Sequence, residues 1–181
     1  MSFDFTILDN LQRLRSPVMD NIMCFITHLA DKGILFIALA VVLYYMPKTR
    51  KTGKYMAVAL LISVLLCNLV LKNAVARLRP FEINSAVDVL ISKPHDYSFP
   101  SGHTSASFAA AMALYLSGRK KCAIPAFALA SLIGFSRMYL YVHFPTDVLG
   151  GAVTGILSAV LADFAIRKLD CKKRIHHGGK K

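Results

Sequence analysis

Ser98–Leu116 reads SFPSGHTSASFAAAMALYL. Pro-Ser-Gly-His opens the stretch, and no charge follows from Thr104 to Gly118. An apolar run after a hydroxyl residue is a helix start, with Ser101 or Thr104 as the cap. The same unpaired N–H groups at a helix start form an anion site. The capping reading makes His103 incidental; the anion reading makes it chemical. The rest of the chain must choose between them.

Working outward, the uncharged run recurs: Gly33–Pro47, Tyr55–Leu71, Cys122–Ser136 and Val148–Ala162 repeat it. Val18–Ala30 is a weaker candidate, interrupted by Asp20 and His28. A bilayer-crossing helix wants about 20 apolar residues. These cores are shorter, and snorkelling flanks extend them. The chain of 181 residues is 55% apolar, mean hydropathy +0.50, with 18% charged residues. A soluble domain carries about 25% charged residues. The pattern predicts an all-α integral membrane bundle of six transmembrane helices with its active site at one membrane face. The bundle is expected over residues 1–170, with residues 1–16 as an interfacial N-terminal helix and residues 171–181 as a basic, disordered cytoplasmic tail.

Net charge is +12, which by itself suggests nucleic acid. The distribution opposes that. With six spans and the N-terminus inside, 16 of the 22 Lys and Arg fall in inside segments. The positive-inside rule then places both termini in the cytoplasm, and no nucleic-acid partner is implied. Met1–Arg15 carries Asp4, Asp9, Arg13 and Arg15, too polar for a signal core. Its Phe3, Phe5, Ile7, Leu8 and Leu11 suit a helix lying on the inner surface. Cys24, Cys67, Cys122 and Cys171 have no metal-site spacing and read as packing residues.

The polar residues left on the outer side come from three separate connections. Lys72 ends the third span and Arg79-Pro80 follows it; Ser101, Gly102 and His103 open the fourth; Arg137 ends the fifth; His143 and Asp147 lie in the link to the sixth. Lys72, Arg79 and Arg137 can neutralise a phosphate, the arginines through a bidentate fork. The N–H groups at Ser101–His103 add donors. Two histidines permit one nucleophile and one general acid. Asp147 follows His143 by one helical turn, which suits a carboxylate that fixes the ring tautomer.

Lys72-x6-Arg79-Pro80, Pro100-Ser101-Gly102-His103 and Ser136-Arg137-x5-His143-x3-Asp147 together resemble the three-part signature of the type 2 phosphatidic acid phosphatase superfamily. That superfamily includes lipid phosphatases, glucose-6-phosphatase and soluble vanadium haloperoxidases; this chain is too apolar for the last. The resemblance implies His143 as the nucleophile that forms a phosphohistidine, Asp147 as its orienter, and His103 as acid and then base. It implies Lys72, Arg79, Ser101, Gly102 and Arg137 as the phosphate cradle, with no metal and no cofactor. Outside the motifs, Arg77 and Lys93 read as surface charges, and Glu82, Asp88 and Asp96 as solvated loop groups. Gly151-x3-Gly155 reads as close helix packing.

A phosphate site between lipid-facing helices implies a membrane lipid substrate. The resemblance covers undecaprenyl diphosphate, phosphatidylglycerophosphate and phosphatidate classes. The rival readings are a lipid or anion transporter and a non-catalytic phospholipid-binding membrane protein. Neither needs paired histidines with an orienter.

Overall fold

The computed structural model describes residues 3–178, with side chains through residue 171. All regular structure there is helical. Helices α1 (Phe3–Gln12) and α2 (Pro17–His28) lead through a short turn to α3 (Ile34–Tyr45). Helix α4 (Arg50–Val64) continues through a π-helical stretch, Leu65–Leu71, into α5 (Lys72–Val75). One short turn, α6 (Pro80–Ile83), precedes the long irregular loop; α7 (Gly102–Leu116), α8 (Lys120–Tyr139) and α9 (Pro145–Gly178) complete the fold.

Helix α7 is the central element, packed by α4, α8 and α9. Its Thr104, Ser105, Ser107, Ala109, Ala110, Ala111 and Ala113 are buried, a small-residue surface that lets neighbours approach closely. Gly151 and Gly155 of α9 lie against it. A Cβ on Gly155 would stand 2.3 Å from the Ser105 carbonyl oxygen, and one on Gly151 would stand 2.6 Å from that of Ser101. The pair packs helices closely, as its spacing suggests. The outward surface is apolar: Ile124 is 73% and Leu149 66% exposed. Only lipid solvates such a surface at low cost.

Among the described residues, four helical stretches are long and apolar enough to cross a membrane: Pro17–Tyr45, Arg50–Ile83, Lys120–Tyr139 and Pro145–Cys171. Six were expected, and the difference has two physical causes. Helix α7 has 15 residues, about 22 Å of rise, and is short for a hydrocarbon core of about 30 Å. The stretch Pro17–Tyr45 is two helices, broken where Lys32 adopts φ 51° and Gly33 φ 68°. Near the start of α2, Asp20 accepts from the Tyr139 hydroxyl at 2.6 Å; near its end, Thr27 accepts from Arg137 Nη1 at 2.7 Å. Both partners lie in the last turn of α8. Helix α2 therefore lies across the end of α8 instead of running alongside it, with Val18, Ile22 and Phe25 outward.

Helix α1 is on that same end of the bundle. Leu8 is fully buried, in one cluster with Tyr141, Val142 and Phe144. Gln12 donates to the Tyr139 carbonyl at 2.9 Å, and the Tyr141 hydroxyl donates to Asp9 at 2.8 Å. The opposite end is marked by Lys54–Asp170 at 3.7 Å and by Arg119 donating to the Lys48 carbonyl at 2.8 Å. Helix α1 and Asp170 thus lie at opposite ends of the bundle. Aspartates that make residues 1–16 too polar for a signal core are here the groups that dock α1.

The backbone of α9 runs past Cys171 to Gly178, helical where a disordered tail was expected, and the end of that tail, residues 179–181, lies outside the described residues. Of the cysteines, Cys67 is buried as expected of a packing residue, whereas Cys122 and Cys171 are exposed.

Candidate active site

The π-helical stretch ends on Lys72, and the Lys72 N–H reaches back to the Cys67 carbonyl. Such widened turns concentrate at functional sites. Two residues after the left-handed Ala76 (φ 48°), the chain enters Leu78-Arg79-Pro80, and Glu82 caps the turn by accepting from the Arg79 N–H at 2.6 Å. Lys72, Arg79 and Arg137 are all buried, at 6%, 1% and 2% exposure. Three buried cations around one cavity demand anionic company.

That cavity, about 290 Å³, is lined by Lys72, Arg79, Gly102, His103, Arg137 and His143. Lys32 and Asp96 line its rim, and Ile37, Leu60, Val64 and Ala106 its apolar wall. Two polar atoms here are buried without a partner among the described residues: Arg137 Nε and His143 Nδ1. An orphaned buried guanidinium nitrogen is expensive unless a ligand completes it.

The opening question now has an answer. Ser101 does cap α7: its Oγ accepts from the Thr104 N–H at 3.4 Å and from Thr104 Oγ1 at 2.9 Å. Its own N–H donates to the Asp147 carbonyl at 3.0 Å and is not available to an anion. The Gly102 and His103 N–H groups, first in the helix, have no intrahelical acceptor. A Cβ at Gly102 would stand 3.9 Å from Lys72 Nζ, so the glycine leaves that approach open. Ser101 does the capping, and the N–H groups of its two successors are left open. Ser101 and Asp147 do not line the cavity; they stand behind it.

His143 Nε2 faces the cations, 3.3 Å from Arg79 Nη1. Its Nδ1 lies 3.7 Å from Asp147 Oδ2, near but longer than a hydrogen bond. Catalytic hydrogen bonds of this kind are often loose before substrate binds. His143 lies in the link between α8 and α9, outside the helices. Burial, then the charges of Arg79, Arg137 and Lys72, hold its ring well below the ordinary 6.5 and keep it neutral. His103 Nε2 lies 3.0 Å from Asp31 Oδ1.

Sequence reasoning missed three residues. Arg77 is not a surface charge: it donates to Asp147 Oδ1, to Asp4 Oδ2 and to Thr146 Oγ1, each at 2.7 Å. Ser98 donates to Asp147 Oδ2 at 2.5 Å, and the Phe144 N–H donates to the same oxygen at 2.9 Å. Asp96, expected in solvent, bridges Lys72 and Arg79, the latter at 2.7 Å. Burial raises its carboxyl pKa, but the Lys72 hydrogen bond and charge and the Arg79 charge outweigh that, leaving it at about 2. Arg77 lies inside the first motif's span, where its charge was a usable signal. Asp96 lies in an irregular loop, where spacing carries no geometry.

The PAP2 superfamily model matches residues 52–167. The undecaprenyl-diphosphatase of Sulfolobus acidocaldarius is 32% identical over 76% of this chain and 66% of its own length. Undecaprenyl-diphosphatase BcrC of Bacillus subtilis is 35% identical over 81% and 74%, and phosphatidylglycerophosphatase B of Bacillus subtilis 36% over 80% and 73%. The crystal structure of Aquifex aeolicus LpxE superposes with TM-score 0.78 at 27% identity, covering 90% of this chain and 95% of that one. The transmembrane phosphatidylglycerolphosphate phosphatase structure from Bacillus subtilis gives TM-score 0.72 at 31% identity, covering 91% and 85%. Family model, relatives and superposed folds agree, and the chain belongs to the PAP2 superfamily.

Proposed function

We propose that the protein hydrolyses a lipid phosphate or diphosphate of the undecaprenyl diphosphate, phosphatidylglycerophosphate or phosphatidate class, through a phosphohistidine and without a metal ion. The observation that carries the reading is one cavity with two chemistries: Lys72, Arg79 and Arg137 in its polar part, and Ile37, Leu60, Val64 and Ala106 on its wall. A headgroup fits the first and an acyl or prenyl chain the second.

His143 Nε2 attacks phosphorus while the three cations and the Gly102 and His103 N–H groups hold the non-bridging oxygens. His103 gives its proton to the leaving oxygen. Water then attacks the phosphohistidine, His103 takes the water proton, and inorganic phosphate leaves. The side-chain cations supply the charge neutralisation that a metal supplies elsewhere.

Five segments, α3, α4 with its π-helical extension, α7, α8 and α9, run between the two membrane faces in this reading, the short helices α3 and α7 completed by the loops at their ends, and α1 and α2 lie on the site face. Fourteen of the 22 Lys and Arg then fall at or beyond the far face: Lys48, Arg50, Lys51, Lys54, Arg119, Lys120, Lys121 and those from Arg167 onward. The positive-inside rule places that face in the cytoplasm and the site outside.

The test is phosphate release from lipid mono- and diphosphates by the purified protein in detergent containing EDTA. Release that persists with EDTA and stops with vanadate is expected. No release from any lipid phosphate, or complete loss with EDTA, overturns the reading.

A further inference from the structure

A phosphate cradle without substrate faces a physical problem. Three buried cations within one cavity repel one another and attract any anion in reach. The lipids that surround the site carry phosphodiester headgroups, and each turnover leaves inorganic phosphate in the cavity. Some group must keep the cradle exchangeable.

Asp96 is placed to do this. Its Oδ2 pairs with Lys72 Nζ and its Oδ1 accepts from Arg79 Nη2 at 2.7 Å. Arg79 Nε donates to the Asp96 backbone carbonyl at 2.8 Å. One carboxylate thus spans two of the three cations, much as two oxygens of a phosphate would. It also lines the cavity beside Gly102 and His143. Unlike its partners, Asp96 opens to solvent: its side chain is 54% exposed, while those of Lys72 and Arg79 are 7% and 2% exposed. It comes from the irregular loop before α7, with Pro94 two residues earlier, where no helix fixes its side chain. Asp96 and Lys72 also line a second, polar cavity with Asn68, Asn73, His95 and Tyr97, which gives the carboxylate room to turn away from Arg79.

We propose that Asp96 is an internal counter-anion of the cradle, exchanging with phosphate in each turnover. With no substrate it pairs Lys72 and Arg79 and keeps weakly held anions out. Substrate phosphate displaces it into the adjoining polar cavity. After hydrolysis it returns to the two cations and helps expel inorganic phosphate. The exchange lowers affinity for every phosphate ligand by a common factor. Phosphodiester lipids, with one charge, then fall below useful occupancy, while monoesters and diphosphates, with two or more, stay above it. The inference rests on the reading of the cavity as a phosphate site.

The experiment compares wild type with Asp96→Asn and Asp96→Ala, using Asp88→Asn as a control in the same loop. Inhibition by inorganic phosphate and by a short-chain phosphodiester lipid is measured against hydrolysis of a short-chain lipid monophosphate. The Asp96 variants should be inhibited by both at concentrations about tenfold lower, since a charged hydrogen-bonded competitor has been removed. KM should fall, kcat should not rise, and Asp88→Asn should match wild type. Unchanged or weaker inhibition by phosphate in both Asp96 variants overturns the proposal. A measurement on wild type alone guards against misfolded variants. Vanadate should speed backbone hydrogen exchange around Asp96–Tyr97; unchanged or slowed exchange also overturns it. Vanadate-dependent thermal stabilisation needs no turnover, so a cradle that binds vanadate but hydrolyses no lipid phosphate would defeat the functional reading and leave the exchange test standing.

Discussion

Arg77 Nη1 donates to Asp147 Oδ1 at 2.7 Å and joins the carboxylate that stands behind His143 to the N-terminal helix. Asp147 has no exposed surface. A buried carboxylate without a cation is expensive, and Arg137 of the same motif donates to Thr27 instead. Arg77 supplies it, and its guanidinium stacks 3.9 Å from the centre of the Phe144 ring.

Arg77 does not line the cavity, so its loss should act on geometry and spare binding. Arg77→Ala should lower kcat by about 10²-fold, the scale of a small misplacement of a catalytic group. KM should stay within a few-fold of wild type. Arg77→Lys keeps the charge but cannot reach Asp147, Asp4 and Thr146 together, and should fall between the two. A variant whose defect lies in KM alone would place Arg77 in substrate binding instead.

The placement of α1 gives a topology prediction. Single cysteines at Asn10, Asp88 and Lys51, on a background without the four native ones, are tested with an impermeant thiol reagent. Asn10→Cys and Asp88→Cys should label together in intact cells, and Lys51→Cys only after permeabilisation. Asn10 labelling in step with Lys51 would separate α1 from the site face.

What the sequence revealed, and what it hid, follows from how each feature is encoded. Lys72, Arg79, Gly102, His103, Arg137 and His143 sit at helix ends or in short links, where spacing along the chain fixes position in space. Their convergence was legible. Val18–Ala30 looked like a span because apolar content does not state direction. Its lie across α8 depends on Asp20 meeting Tyr139 and Thr27 meeting Arg137, residues more than 100 positions away. Asp96 was hidden for the same reason: its role is a pairing across the fold, and no local period records it; the charge of Arg77 was visible inside the first motif, but its pairing with Asp147 and Asp4 was not.

His143 also predicts a pH dependence of stability. The buried ring resists protonation, while the unfolded chain takes up that proton near the ordinary value of 6.5. The unfolded state then binds more protons, so the contribution is present above about pH 6.5 and lost as pH falls below it. Thermal unfolding in detergent should show a midpoint that drops between pH 7.5 and 5. The drop should be smaller in His143→Gln. Equal slopes would mean that His143 titrates alike in both states.

Packing on α7 makes a separate prediction. Gly155→Ala puts a methyl 2.3 Å from the Ser105 carbonyl oxygen and 2.9 Å from the Ala109 nitrogen. Both are backbone atoms and cannot swing aside. Overpacking of this kind costs about 1–3 kcal/mol, read as a lower unfolding midpoint. Gly118→Ala meets no atom within 4 Å; its cost is the left-handed backbone alone, at φ 91°. Gly155→Ala should also reduce kcat, because α9 carries Asp147 at its start. An unshifted midpoint would mean that α7 and α9 separate at little cost.

In the proposed mechanism the two histidines divide the labour, and the division can be read from a trapped intermediate. His143 Nε2 faces the cations at 3.3 Å from Arg79 and is the attacking atom of the proposed mechanism, so His143→Ala should abolish both turnover and covalent phosphoenzyme. If His103 is the acid, His103→Ala should slow attack on a lipid alkoxide most. A good leaving group such as p-nitrophenolate needs little protonation, so its first step should partly survive. Water activation would then be slow, and phosphohistidine should accumulate. Asp147→Asn should retain the fold and lose up to about 10⁴-fold in rate, by analogy with a wrong tautomer in serine-protease triads. The measurement is acid-labile label from a phosphate-labelled substrate in the three variants. Label in His103→Ala and none in His143→Ala is the expected pattern. The reverse would exchange the two roles, and the orienting function of Asp147 would have to be reassigned with them.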